Sequence, residues 1–421
     1  MVEVMDRAQA QRHTVSTLMT TQVLGGIGLS AGATVGSLLA EKISGRTDLA
    51  GLGGTFQTLG AALLALPLAA IAHRAGRRPS LTIAYAAAVA GALLVVAASA
   101  ASSFALFLLG SVLLGSATAA NSAARYAAAD LALPEHRGRD LSLVVWVTTA
   151  GSVLGPNLVG PAEPIARTLG LDVLVGPFVI STVVLLVAAS LMWVRLRPDP
   201  LLLSRTLSGE PPALAKGSLS RGLAAICAHP LALAGVTTMA LGHVVMVSIM
   251  VMTPLHMVHG HASLSVVGFV ISGHIVGMFA FAPVMGIAVD RFGARAVALV
   301  GGLILLLSTL RAGVAEAGFS MGLAIALFLL GLGWSATFVS GSTMLVGAVS
   351  VRERAGAQGV GDLVMGLSAA GGGAAAGVVV QHFGYGWLAH GALLGAVAVL
   401  GVSVLAAGHR QANHARGRRR S

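Results

Sequence analysis

Long apolar runs alternate with short polar segments along the whole chain. An α-helix needs about 20 apolar residues to cross the hydrocarbon layer of a bilayer. The pattern therefore predicts an all-α membrane protein with twelve transmembrane helices. We place these spans near residues 15–40, 50–72, 80–100, 104–124, 141–162, 173–194, 231–257, 264–286, 296–313, 319–341, 357–381 and 387–407.

The longest polar interruption covers residues 195–230 and is rich in proline and basic residues. It divides the twelve spans into two groups of six. We therefore expect an N-terminal six-helix bundle at residues 1–194, a cytoplasmic linker at 195–230, and a C-terminal six-helix bundle at 231–421. The last of these ends in a basic cytoplasmic tail.

Composition supports a membrane location. The chain is 56% hydrophobic and 10% charged, with a mean hydropathy of +0.87, whereas soluble domains are about 25% charged. Polar residues open the chain, so we expect no cleavable signal peptide. The one cysteine, Cys227, excludes an internal disulfide and a cysteine-based metal cage.

Basic residues are unevenly distributed between the two sides of the predicted membrane. Of the 26 Lys and Arg residues, only Lys42, Arg46, Arg167 and Arg311 fall in loops on one side. Cytoplasmic loops are enriched in Lys and Arg, so both termini are expected in the cytoplasm and the protein in the plasma (bacterial inner) membrane. The net charge of +11 then reflects topology and requires no nucleic-acid partner. The tail at 418–420 is either solvated or in contact with anionic lipid.

The two halves of the chain repeat one another. The loop after the second span reads His-Arg-Ala-Gly-Arg-Arg at 73–78, and the loop after the eighth span reads Asp-Arg-Phe-Gly-Ala-Arg at 290–295. Two parallel six-helix repeats joined by a linker are typical of transporters whose site lies near the midplane.

Two consecutive spans carry pairs of soft metal ligands. Met246 and Met250 lie four residues apart, as do His274 and Met278, and residues at this spacing share one helix face. Thioether sulfur combined with imidazole nitrogen suits monovalent copper. If these two helices face each other, the pattern predicts a metal site at mid-depth in the membrane.

Further donors extend this pattern into a candidate metal relay. Met239, His243 and Met257 lie on the same stripe of the seventh span, and a histidine cluster follows at the outer mouth, formed by His256, His259 and His261. Methionine is also a common gap filler in packed helices, and the histidines could form no more than a polar turn. Metal relay and simple packing both remain open on the residues alone.

Few ionisable residues are expected deep in the membrane. We place only His243, His274 and His390 there, and we find no embedded carboxylate of the kind that a cationic drug would require. A neutral imidazole can both ligate a metal and exchange a proton.

The loop motifs make the chain resemble the major facilitator superfamily over essentially its whole length. The second-half copy matches that superfamily's cytoplasmic loop motif at Gly286, Asp290, Arg291, Gly293 and Arg295. The first-half copy keeps Arg74, Gly76 and Arg78 but has Ala69 for the leading glycine and His73 for the acid. The resemblance implies the two-bundle fold and alternating access, with the acid and arginines latching the outward-open state. A strong latch is not expected in the first copy, which lacks the acid.

A glycine-proline pattern occurs in the fifth span, at Gly151, Gly155 and Pro156. It resembles the motif of the superfamily's antiporters. Glycines also permit close helix approach and proline bends a helix, so a packing role is equally open.

The methionine and histidine pairs resemble the signature of the CcoA-type copper importers, a branch of the same superfamily. The resemblance implies a copper path through Met246, Met250, His274 and Met278. It also implies a carrier and not an enzyme, with copper as cargo and no resident cofactor. We expect the protein to be a monomer. A cytoplasmic copper acceptor would receive the ion. Relatives of that branch move other solutes, including riboflavin.

The alternative is a carrier of an organic solute, either riboflavin-like or a drug exported by antiport. In that case we expect a cavity lined by polar and aromatic side chains of the first half, namely Gln22, Asn121, Tyr126, Trp146 and Asn157.

Overall fold

The structure is a computed structural model that describes residues 7–132, 137–208, 218–350 and 353–418. Within these residues it is built of α-helices joined by short turns, which confirms the all-α prediction. The helices of the first part of the chain are α1 Arg7–Ser44, α2 Leu52–Ala75, α3 Arg77–Ala100, α4 Phe104–Ala129, α5 Arg137–Asn157, α6 Val159–Thr168, α7 Gly176–Arg195 and α8 Pro200–Ser208. Those of the remainder are α9 Ser218–Ala228, α10 Pro230–His259, α11 Leu264–Phe279, α12 Ala282–Phe292, α13 Ala294–Gly313, α14 Met321–Ala348, α15 Arg354–Phe383 and α16 Tyr385–Arg418.

Eleven helical segments of the described chain are long and apolar enough to cross a membrane. Sequence analysis placed twelve, and the difference is the span expected at 141–162. That region forms α5 and the short α6, separated at Leu158. The side chains of residues 137–142 and 145 in α5 lie outside the described residues, so the count of eleven does not extend to this span.

Contacts divide the chain into two compact units. The first comprises residues 1–214 with 263–272, and the second comprises 215–262 with 273–421. The linker expected at 195–230 contains α8 and α9, and its centre at 209–217 lies outside the described residues. The end of the basic tail, at 419–421, lies outside them as well.

In the first unit, glycines allow α5 to pack closely against α1. A Cβ atom on Gly151 would clash with the carbonyl of Val23, and one on Gly155 would clash with Ser30. Pro156 stands one residue before the end of α5. The glycine-proline pattern therefore lies at a tight helix contact.

In the second unit, α14 packs against both α10 and α11. A Cβ atom on Gly242 of α10 would meet the Thr337 side chain, and one on Gly331 of α14 would meet the His274 carbonyl. Because the glycines carry no side chain at these points, the helices approach closely and side chains one turn away are held in register. The candidate ligands lie at these contacts.

Candidate functional site

His274 of α11 is fully buried, at 0% exposure, and bonds to α14. Its Nδ1 lies 2.8 Å from the backbone carbonyl oxygen of Leu327. A carbonyl can only accept, so Nδ1 holds the proton and donates it, leaving a lone pair on Nε2. Among the described residues, this buried Nε2 has no hydrogen-bond partner. The ring can therefore accept a hydrogen bond or ligate a metal through Nε2.

The Met246 and Met250 pair of α10 lies at nearly the same depth as the His274 and Met278 pair of α11. Gly242 stands against Thr337 of α14, which runs antiparallel to α10. Met246 is one turn further along α10, which brings it close to the level of Gly331, where His274 packs. Met246 is 3% exposed, and Met250 and Met278 are half-buried.

Two of the expected relay residues are engaged by α14. The Nε1–H of Trp334 donates to Nδ1 of His243 at 2.7 Å, so the imidazole lone pair of His243 is already used and its proton is on Nε2. Ser342 Oγ donates to the Met239 sulfur at 3.6 Å. In this arrangement the Nδ1 lone pair of His243 is not available to a metal, whereas the Met239 sulfur keeps a second lone pair.

The outer histidines differ from one another in burial and in contacts. His256 Nε2 donates to the carbonyls of Ala315 and Glu316, at 3.3 and 3.1 Å, and its ring stacks on Tyr385 with centroids 4.1 Å apart. His259 and His261 are exposed, while Met257 is fully buried. The described residues contain no group of three or more His, Cys, Asp or Glu side chains that could hold a metal ion.

Sequence analysis missed an aromatic cluster in the second unit, which comprises His243, Phe279, Trp334 and Phe338. The rings of Trp334 and Phe338 stack with centroids 5.0 Å apart and an interplanar angle of 11°. Phe279 meets Trp334 edge to face at 5.7 Å. Trp334 is 6% exposed, but Phe279 and Phe338 are half-buried. The spacing of four residues between Trp334 and Phe338 was the available signal.

The first unit contains a polar cluster, which comprises Gln22, Tyr85, Asn121 and Thr148. Gln22 Nε2 donates to the backbone carbonyl of Asn121 and to Thr148 Oγ1. The Tyr85 hydroxyl donates to the side-chain Oδ1 of Asn121 at 2.8 Å. Two of the five residues expected to line a cavity, Gln22 and Asn121, thus meet.

The other three residues expected to line that cavity make no hydrogen bond to the polar cluster within the part of the chain that the structure describes. Tyr126 and Trp146 are 55% and 59% exposed. Asn157 instead donates to Ser272 Oγ at 2.7 Å.

In the first-half loop motif, two arginines contact carboxylates from other parts of the chain. The Arg77 guanidinium donates to both oxygens of Asp130, at 2.8 and 3.3 Å. The backbone N–H of Arg78 donates to Asp199 at 2.7 Å, and its guanidinium lies over the Trp193 ring at 3.9 Å. Burial raises the pKa of Asp130, and the pairing with Arg77 opposes this effect.

The two copies of the loop motif share a backbone feature. Gly76 and Gly293 have φ values of 99° and 85°, in the region that favours glycine, and each ends one helix and begins the next. Arg74, Asp290 and Arg291 are exposed, while Gly286 and Arg295 are half-buried.

The family model of the Major Facilitator Superfamily matches residues 17–264 and 247–420. The chain belongs to the major facilitator superfamily. Membership in this transporter family indicates a carrier of small solutes across a membrane, and a carrier performs no chemical conversion.

Characterised and uncharacterised members of the superfamily are similar to this chain. The Uncharacterized MFS-type transporter YdeG of Bacillus subtilis is 37% identical over 89% of this chain and 87% of its own length. YddS of the same organism is 36% identical over 90% and 87%. The Riboflavin transporter RfnT of Brucella anthropi is 27% identical over 86% of this chain and 87% of its own length.

Solved major facilitator structures share the fold. A bacterial homologue of the human lysosomal transporter Spinster, in an inward-facing and unoccupied conformation, superposes with a TM-score of 0.68 at 17% identity. It covers 95% of this chain and 96% of its own. The nucleoside transporter NupG gives a TM-score of 0.65 at 16% identity, covering 93% and 98%. At these identities the likeness concerns the fold alone.

Proposed function

We propose that the protein transports a planar aromatic organic solute, of the size of a flavin, by alternating access. The observation that supports this proposal is the aromatic cluster of the second unit. Trp334 is buried with its indole N–H held by His243, while Phe279 and Phe338 are half-buried beside it. These two rings present apolar faces and edges on which a flat solute can stack.

The energetics of such a surface suit a neutral ring system. A stacked or edge-to-face aromatic pair contributes about 0.5–1.5 kcal/mol beyond the burial of its area. The hydrogen bond to His243 fixes the plane of Trp334, and an ordered ring loses little entropy when a ligand binds. The similarity to the riboflavin transporter RfnT, at 27% identity, is in keeping with a cargo of this kind.

Copper import is the second candidate, and His274 is the observation that favours it. A metal-binding histidine ordinarily donates its other ring N–H to a carbonyl or carboxylate, which is how Nδ1 of His274 meets Leu327. Its Nε2, with Met246 at a similar depth, would bind monovalent copper as cargo and pass it to a cytoplasmic acceptor. We rank this candidate second because the Nδ1 lone pair of His243 accepts from Trp334 and His256 bonds to backbone carbonyls.

Orientation in the membrane is part of the proposal. The concentration of basic residues on one side supports cytoplasmic termini in the plasma membrane. A reporter that is active only in the cytoplasm, fused after Ser421, should be active. A fused periplasmic reporter that proved active instead would reverse this orientation.

Transport by the purified full-length protein tests the proposed cargo. Reconstituted in liposomes, it should take up radiolabelled riboflavin saturably, and an excess of unlabelled flavin should abolish the signal. Copper uptake measured in the same liposomes separates the two candidates. Saturable copper uptake without flavin uptake would overturn the aromatic-solute proposal in favour of copper.

A further inference from the structure

Gln22 lies at the centre of the polar cluster of the first unit, with its amide held in one orientation. It is 1% exposed, and its Nε2 donates to the Asn121 carbonyl at 3.1 Å and to Thr148 Oγ1 at 3.2 Å. A backbone carbonyl can only accept, so the amide nitrogen must face Asn121. The positions of Nε2 and Oε1 therefore cannot be exchanged.

The Oε1 atom of Gln22 is buried and has no hydrogen-bond partner among the described residues. Burying an acceptor without a donor is unfavourable, and buried polar atoms in folded proteins almost always have partners. The bonds that hold Gln22 against Asn121 and Thr148 are made by its Nε2 alone. The Oε1 atom takes no part in them. This atom is a candidate acceptor for a ligand.

The surrounding side chains are held in place. The Tyr85 hydroxyl donates to Asn121 Oδ1 at 2.8 Å, and the Thr148 hydroxyl donates to the Val144 carbonyl at 3.1 Å. A Cβ atom on Gly25, one turn after Gln22, would lie 2.7 Å from Asn121 Oδ1. The close approach of α1 at Gly25 thus positions the cluster before any ligand binds.

The chemistry of the cluster selects a neutral donor. Its four side chains are two amides, a phenol and an alcohol, so no formal charge within it attracts an ion. Asn121 and Thr148 are half-buried, so the cluster reaches the surface of the unit beside Gln22. An N–H or O–H group that enters there can complete the bonding of Oε1.

We propose that Gln22 Oε1 is the acceptor of a substrate subsite that recognises a neutral hydrogen-bond donor, such as a ring imide N–H. This inference rests on the proposed aromatic cargo and adds to it a specific polar requirement. A site that hydrogen-bonds its ligand discriminates against an analogue that lacks the donor, because the buried acceptor is then left unpaired.

Paired ligands test the subsite in the full-length protein. Riboflavin has an imide N–H, and its N3-methyl derivative lacks it. We expect the wild-type protein to bind riboflavin roughly tenfold more tightly than the derivative, as one hydrogen bond allows. In Gln22→Met, which keeps the length of the side chain, the two affinities should become nearly equal. A purely steric effect of the methyl group would persist in this variant.

Gln11→Met is the matched control. Gln11 is also a buried glutamine of α1, and its Nε2 donates to the Ala128 carbonyl at 2.7 Å, so its replacement should leave the affinity ratio unchanged. If the wild-type protein binds riboflavin and its N3-methyl derivative with equal affinity, the proposed subsite is wrong, and no variant is needed to show it. A ratio that survives Gln22→Met would overturn it as well. If the wild-type protein binds neither flavin, the proposed cargo itself fails.

Discussion

Asp199 accepts a hydrogen bond from the backbone N–H of Arg78, 2.7 Å away and 121 residues earlier in the chain. The same carboxylate accepts from the backbone N–H groups of Leu201 and Leu202 at the start of α8. It therefore joins the start of α3 to the beginning of the linker. The loop motif itself has His73 in place of the acid. The carboxylate that contacts this motif belongs to Asp199, in another part of the chain.

Replacing Asp199 should weaken this junction. In Asp199→Ala, the N–H groups of Arg78, Leu201 and Leu202 lose their acceptor, and loss of a helix cap alone costs about 0.5–2 kcal/mol. We expect a lower temperature of thermal unfolding in detergent. Asp199→Asn keeps an acceptor oxygen and should be closer to the wild type. Equal unfolding temperatures for Asp199→Ala and the wild type would show that the junction contributes nothing to stability.

Asp130 should make stability depend on pH. Burial raises the pKa of its carboxyl above the ordinary 3.8, Arg77 opposes the rise, and Asp199 and Arg205 exert smaller effects of opposite sign. A raised pKa means that the folded state binds the proton more tightly than the unfolded state. The resulting stabilisation is present below the unfolded pKa and is lost as pH rises through the folded pKa.

Asp130→Asn removes this titration and provides the comparison. The wild-type protein should lose stability relative to the variant as pH rises from below 3.8 through the raised pKa. Thermal unfolding of both proteins in one buffer series measures the difference. A wild-type protein that gains stability relative to Asp130→Asn over that interval would indicate that pairing with Arg77 outweighs burial.

The helices could be predicted from sequence because the bilayer imposes a length on every apolar run. The span expected at 141–162 carries polar residues such as Thr148 and Asn157 within its apolar run. Such residues reduce the hydropathy signal because they serve contacts inside the protein. Thr148 receives the Gln22 amide, and Asn157 donates to Ser272.

The candidate site was predictable only where it lies within one helix. The spacing of His274 and Met278 placed both on one face of α11, because that spacing is local. The partner of His243 is Trp334, 91 residues away, and the partner of His274 is the backbone oxygen of Leu327. These pairings depend on which helices pack against each other and at which register. The spacing of residues within one helix does not reveal either.

Trp334 is the residue whose replacement should most affect transport of an aromatic solute. Trp334→Leu removes the stack on Phe338 and the edge contact with Phe279. We expect flavin affinity to fall by roughly tenfold, in line with one aromatic pair of about 1 kcal/mol and the lost burial. Trp334→Phe keeps a ring but loses the bond to His243, so its effect should be intermediate.

Trp387→Leu is the control for this change. Trp387 lies in the same unit, on α16, and is 68% exposed, so its replacement should leave flavin affinity at the wild-type value. Folding of all three variants is checked by gel filtration and thermal unfolding. Undiminished flavin transport by a folded Trp334→Leu protein would remove the aromatic cluster from the proposed site.

Met246 and His274 separate the two candidate cargoes. Replacement of either residue by Leu keeps a side chain of similar bulk and removes one soft donor. If the cargo is an aromatic solute, flavin uptake should persist in Met246→Leu and in the double variant with His274→Leu. If copper is carried, its uptake should fall by roughly tenfold or more, by analogy with the loss of a supporting partner at a metal site.

Met252→Leu is the matched control for this comparison. Met252 lies on the same helix as Met246 and is likewise buried, but it stands on a different face from the Met246 and Met250 pair. Its replacement tests the loss of a buried thioether without the loss of a candidate ligand. Copper uptake that falls in Met246→Leu but not in Met252→Leu, at equal protein level, would restore copper as the cargo. An equal fall in both variants would instead indicate a general packing effect, because both changes then act through the core of α10.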